Sequence, residues 1–277
     1  MDPEERQRIV IRRVRSSMGQ VYVGGACRCQ TSISSIQVDV QPIRFLALDY
    51  TLHPPMSTSF RIISLGTLAS HPLWTETSDP RTPHATTTLI TSGDQQVLVN
   101  PSLPPPVLDA RLKERSGIGL PGVTDVFLTS FYPDHRRGLA GLEHASWLMA
   151  EAECEAMESF LVHERAEAES HQDTERLVLI NDEHQLLERV KIAPDSIADG
   201  VDLFPLHGVS PGCCGLLLPQ PRNTILVCGD AVATIEHYER GMVLEDCWDR
   251  NRAIESFKEA VEIADQLVPG RDNLIHT

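Results

Sequence analysis

The stretch that decides the reading is Thr129-Ser130-Phe131-Tyr132-Pro133-Asp134-His135-Arg136-Arg137-Gly138. It directly follows an apolar run, Val123-Thr124-Asp125-Val126-Phe127-Leu128. A short apolar run bounded by turn residues reads as a buried strand. The loop therefore opens at a strand end, where a rigid scaffold holds functional residues in place. Asp134 and His135 sit side by side on it, as a metal site or a catalytic pair would require. The plain alternative is a solvated turn in which His135 bonds to backbone.

Three further loops at strand ends carry polar residues. Leu206-His207-Gly208-Val209-Ser210-Pro211-Gly212 lies between the strand-like runs "GVDLFP" and "CGLLLP". Asp230 follows the apolar run "NTILVCG" without a break. A buried carboxylate without a partner is expensive, so an Asp at that point binds something or caps the next turn. The fourth loop is Val268-Pro269-Gly270-Arg271-Asp272-Asn273, after the last helix.

Around these loops strands and helices alternate. "FRIISLG" reads as a first strand, followed by a Pro-, Thr- and His-rich loop from Ala69 to Ala85 that contains His71 and His84. "ATTTLITSGDQQVLVNPS" reads as a hairpin turning at Ser92-Gly93-Asp94. Leu108 and Leu112 stand at helical spacing ahead of Gly117, a usual helix stop. "ASWLMA" is strand-like and Glu151 to Glu169 is helical, with its glutamates on a solvated face. "RVKIA" adds a further strand. Ile254, Phe257, Val261, Ala264 and Leu267 share one face of a late amphipathic helix. Many strands with interleaved helices point to an α/β or α+β sandwich.

Residues 1–55 differ in character. They hold seven Arg, no Lys and five acidic residues, net +2, while the remainder carries net −17. They read as an N-terminal extension or a short extra hairpin, with the main domain over 57–277. The whole chain has 277 residues and 41% hydrophobic content, enough for one large domain or two small ones. Its net charge of −15 argues against nucleic acid and against an anionic membrane surface as partners. No apolar run is long enough to span a bilayer, and the N-terminus lacks the apolar core of a secretory signal. The seven cysteines include no C-x-x-C, and Cys213-Cys214 head an apolar strand as buried, inert thiols. These features suit a cytoplasmic protein with reduced thiols.

Taken in order, the four loops resemble the signature of the metallo-β-lactamase superfamily. That signature is a T-H-x-H-x-D-H loop, a P-G-H-x-P-G loop, a strand ending in G-D, and a late P-G-H. The matches are Thr129 to His135, Gly208 to Gly212, Gly229-Asp230 and Pro269-Gly270-Arg271, and the resemblance covers about residues 57–277. It implies an αββα four-layer sandwich with a metal site on loops at one edge. In active members three histidines hold one metal, and an Asp, its adjacent His and a late His hold the second. The Asp after Gly bridges both, and a metal-bound hydroxide attacks a carbonyl, thioester or phosphoryl centre.

Here the first-site histidine positions hold Ser130, Tyr132 and Val209. Asp134, His135 and Asp230 persist, and Arg271 stands where the late His belongs. Two readings follow. In the first, Asp134, His135 and Asp230 hold at most one Zn²⁺, Mn²⁺ or Fe²⁺, and Asp134 and Asp230 serve catalysis. Tyr132 or His207 would complete the shell, and His71 and His84 lie in a loop that could face the same edge; the plain reading of each of these three histidines is an ordinary surface or structural residue. Ser130, Tyr132, His207 and Arg271 then contact a small ester, thioester, lactone or phosphoester. In the second, no metal binds. Arg271 replaces its charge by pairing with Asp134 or Asp230, and the cleft binds a small anionic ligand or a protein. Arg136 and Arg137 read as a solvated basic turn.

Overall fold

The computed structural model describes residues 58–74 and 80–277. The expectations for residues 1–55 and for 75–79 of the early loop lie outside them.

Among the described residues twelve strands form two six-stranded sheets. The first runs in chain order, β1 (Ser59–Ser64), β2 (Thr87–Ser92), β3 (Gln95–Val99), β4 (Asp125–Leu128), β5 (Ser146–Met149) and β6 (Val190–Ile192). β1 to β3 are antiparallel, and β3 to β6 are parallel. The second sheet contains β7 (Ser196–Ala198), β8 (Val201–Pro205), β9 (Cys214–Pro219), β10 (Thr224–Gly229), β11 (Gln266–Pro269) and β12 (Ile275–His276). Within it only the β10–β11 pair is parallel.

The period-2 alternation of the strands generates the layers. Val97, Val99, Phe127, Leu216, Leu218, Ile225 and Val227 point into the space between the sheets. Their neighbours Leu98, Val126 and Leu128 point the other way, against α1 (Pro105–Ser116), α2 (Glu151–His171) and α3 (Thr174–Glu188). Leu217, Leu226 and Cys228 turn outward from the second sheet, against Ala253, Phe257 and Ala260 of α5 (Arg250–Ile263). Helix, sheet, sheet, helix is the expected four-layer arrangement. Each fully buried Leu, Val or Phe contributes roughly 1.5–3 kcal/mol, so a one-residue slip would cost several such side chains at once. Burial therefore fixes the register.

Three expectations change. The late helix ends at Ile263, and Leu267 lies in β11, where it pairs with Leu226. Parallel pairing with a buried neighbour overrides the local helical spacing, which 264 and 267 satisfy equally well. α3 was not anticipated, because exposed Val178 and Leu179 break its apolar stripe. Nor was α4 (Ile235–Arg240), a short helix capped by Thr234. Among the described residues no helix is long and apolar enough to cross a membrane.

Parallel strands position the site. The chain leaves β3, β4, β5, β10 and β11 at their carboxyl ends, where open α/β sheets place their ligand crevices. Asn100, Thr129, Glu153, Asp230 and Arg271 all come from these five ends or the turns just beyond.

Candidate functional site

The loop after β4 is pinned from several sides before any chemistry begins. Asn100 takes a left-handed φ of 49° at the end of β3. Its Oδ1 accepts from the Thr129 N–H at 3.0 Å, and its Nδ2 donates to Thr129 Oγ1 at 2.9 Å. The Thr129 carbonyl accepts from Cys214 N–H of the second sheet at 3.0 Å. Glu153, buried at the start of α2, accepts from Phe131 N–H at 3.0 Å through Oε1. Its Oε2 accepts from Ser210 Oγ at 2.7 Å and from Gly212 N–H at 2.9 Å. One side chain thus ties the 129–138 loop to the 206–212 loop.

Two glycines are required at the crossing. Gly229 has φ +52°, and a Cβ there would lie 2.6 Å from Thr129 Oγ1. A Cβ on Gly270 would lie 2.1 Å from Asp230 Oδ1. These close approaches bring Asp230 and Arg271 together at the ends of adjacent parallel strands.

At the centre lies a guanidinium. Arg271 Nε donates to Asp230 Oδ1 at 2.9 Å and Nη2 to Asp230 Oδ2 at 2.6 Å. This is the bidentate geometry that suits a planar donor fork. Nη1 donates to Asp134 Oδ2. His135 Nε2 is 3.1 Å from both Asp230 Oδ2 and Arg271 Nη2, and Nδ1 is 3.2 Å from Ser130 Oγ. With its proton on Nε2 the ring donates to Asp230 and accepts from Ser130. With it on Nδ1 the ring donates to Ser130 and accepts from Arg271. Either tautomer engages both nitrogens within the protein.

The side chains of His135, Asp230 and Arg271 are 0%, 1% and 5% exposed, so these charges interact with little solvent screening. Burial alone would raise the Asp230 carboxyl. The Arg271 charge, then His135 and their hydrogen bonds, outweigh it and hold the carboxyl well below the usual range. Burial likewise works against the Arg271 charge, and Asp230 and Asp134 more than restore it.

The other half of the floor is neutral. Tyr132 stands edge-on to His135 with ring centroids 5.8 Å apart, and its O–H donates to the Val209 carbonyl at 3.0 Å. Burial, then the charges of Glu153 and Asp230, push the phenol upward, so it remains an O–H donor. Val209 is buried in the apolar cluster under α5. A cleft of about 360 Å³ opens here, lined by Tyr132, Val209, Asp230 and Arg271 with the 68–72 and 244–246 segments.

Asp134, His135, Asp230, Arg271, Ser130 and Tyr132 therefore converge. His207 does not join them. Its backbone carbonyl accepts from Ser256, and its Nδ1 is buried without a hydrogen-bond partner. His84 bonds to the carbonyls of Leu65 and Thr82. His71 is buried behind the cleft wall, 3.0 Å from Thr234 Oγ1 and stacked on Trp74. Arg136 is not a solvated turn residue. It is 7% exposed, pairs with Glu183 of α3 and lies over the Phe131 ring at 4.2 Å. A flat guanidinium stacks on an aromatic face while its edge finds a carboxylate, which the sequence does not display. Asn100 was missed, and only its position at a strand end hinted at a role; Glu153, expected on the solvated face of α2, is instead 1% exposed, because its carboxylate is consumed by three donors from two loops. Cys213 and Cys214 are buried, and burial pushes the Cys214 thiol up to about 12.

The metal implied by the resemblance does not fit this arrangement. Asp134, His135 and Asp230 converge on the guanidinium rather than on a common vacant point, and among the described residues no group of three His, Cys, Asp or Glu is arranged to hold an ion. The donors that would ligate one are bonded to a fixed positive charge instead. A cation placed between Asp134 and Asp230 would have to displace the guanidinium.

No curated protein matches the sequence. Among solved structures, a Thermotoga maritima protein described as a metallo-beta-lactamase superposes with TM-score 0.57 at 16% identity, over 79% of this chain and 99% of that one. AidC, a dizinc quorum-quenching lactonase, gives 0.55 at 15%, over 70% and 75%. The hydrolase AbOPH of the beta lactamase superfamily gives 0.55 at 17%, over 79% and 87%. At these identities the likeness speaks for the fold. The sequence profile of the family matches residues 81–264 directly, a span containing both the 129–138 loop and Asp230. Loop order, layer order and profile agree, and the chain belongs to the metallo-beta-lactamase superfamily.

Proposed function

We propose that this chain is a metal-free, non-catalytic descendant of a metallo-hydrolase fold that binds a small ligand in the former active-site cleft. The observation that carries this reading is the Arg271 guanidinium, bidentate on Asp230 and donating to Asp134. A divalent ion in that position neutralises clustered carboxylates. The arginine does the same with one permanent charge and directed donors. Ser130, Tyr132 and Val209 supply no nitrogen ligand that would draw a metal back.

The competing reading is a hydrolase with one metal on Asp134, His135 and Asp230, acting on a small ester, thioester, lactone or phosphoester. Its support is the persistence of those three side chains in a family whose members generally use divalent metals such as zinc.

Elemental mass spectrometry on tag-free protein separates the two. The expected result is no bound metal in the wild type and uptake in Arg271→His, which removes the fixed charge and adds an imidazole. About one metal per wild-type chain, lost in Asp134→Ala, would return the mononuclear hydrolase.

A further inference from the structure

We infer that the cleft takes a small organic cation, an amine carrying an apolar body, an assignment that rests on the metal-free reading above. The charge balance is the first argument. Among the described residues the cleft lining contains three carboxylates, Asp230, Glu245 and Asp246, and one cation, Arg271. That cation is already bonded to Asp230 and to a further acid, Asp134. With the His135 imidazole neutral, the floor holds two negative charges against one positive, and the rim adds two more negative charges.

An incoming carboxylate or phosphate would meet a guanidinium that is 5% exposed, with Nε, Nη1 and Nη2 already donating to the two acids. It would meet the acidic rim as well. An ammonium group meets the surplus negative charge. The small anionic ligand expected for a metal-free cleft is therefore replaced here by a cation.

The shape of the rest of the site suits the same ligand. Tyr132 uses its O–H on the Val209 carbonyl and brings an aromatic ring to the cleft. Aromatic rings attract organic cations through their quadrupole. Leu68, Pro72, Val209 and Leu244 supply apolar surface for the body of such a ligand. The volume of about 360 Å³ suits a small molecule. Asp246 and Tyr132 line the same cleft.

Isothermal titration of the full chain with three compounds of one shape tests the assignment. The probes are phenethylamine, phenethyl alcohol and phenylpropanoate, offered to the wild type and to the double variant Glu245→Gln/Asp246→Asn. The rim positions are exposed, so the double variant keeps the fold. Phenethylamine is expected to bind about tenfold tighter than the alcohol, and phenylpropanoate weakest. The double variant is expected to weaken the amine about threefold to tenfold, a part-screened effect, and to leave the alcohol unchanged. Phenylpropanoate binding as tightly as the amine would overturn the assignment. So would an amine affinity unmoved by the double variant, or no binding by any of the three. Metal content is measured on the same preparation. Metal in the wild type defeats the underlying reading, whereas metal-free protein that prefers the anion defeats only this inference.

Discussion

The two halves of the cleft floor depart from the family's ligand pattern in different ways. On one side Asp134, His135 and Asp230 persist, and Arg271 supplies the cation between them. On the other, Ser130, Tyr132 and Val209 are neutral, and Tyr132 and Val209 close on each other through one O–H to carbonyl bond. Clustered buried acids demand a positive charge whether or not catalysis is retained. A half without acids makes no such demand and can be filled by ordinary packing. The contrast teaches that buried charge constrains what may replace a ligand more tightly than shape does.

The charged half should therefore break hardest. Arg271→Ala leaves two carboxylates near each other without their cation, and a loss of about 3–5 kcal/mol is expected in chemical denaturation. A loss below about 1 kcal/mol would mean that the acids are solvated instead.

Asp230→Asn comes next, at about 2–3 kcal/mol, because Asp134 still pairs with the arginine. Its pH dependence carries a sign. The folded carboxyl lies below its unfolded value, so between the two the unfolded chain binds more protons. The Asp230 contribution is fully present above about pH 4 and is lost as pH falls below that. The gap between wild type and Asp230→Asn should accordingly narrow in acid. A gap that widens there would reverse the assignment.

Glu153→Gln tests the bridge between the halves. It disturbs acceptors used by Phe131, Ser210 and Gly212, and about 1–2 kcal/mol is expected. Tyr132→Phe belongs wholly to the neutral half. It removes a single O–H donor and should cost about 1 kcal/mol, with the acid-side behaviour of Asp230 preserved. An effect as large as that of Arg271→Ala would erase the contrast.

Much of the framework was legible in the amino-acid order. Strand alternation at Val97–Val99, Val126–Leu128 and Leu216–Leu218 sets the two sheet faces, and the four loops stand at strand ends in the order the family uses. Asp230 announced itself as a carboxylate after an apolar strand. The direction of Arg271 was not legible, since pairing with acids, binding a ligand and pointing outward are all open to a loop arginine. Asn100, Glu153 and Arg136 look like ordinary polar residues along the chain. Their roles arise where separate loops meet, and that is a property of the fold. β11 was hidden for a related reason, because its partner β10 lies across the α4–α5 crossover.

The proposed metal-free cleft rests on the charge of Arg271 standing where a metal's charge would. Unfolding midpoints of tag-free wild type and Arg271→His, each with and without added zinc, test it most directly. A ligand that binds only the folded state stabilises it by about 2.7 kcal/mol at a hundredfold excess over Kd. Zinc is expected to leave the wild-type midpoint in place and to raise that of Arg271→His. A wild-type midpoint that rises with zinc would mean that an ion binds beside the arginine and that the cleft is not metal-free.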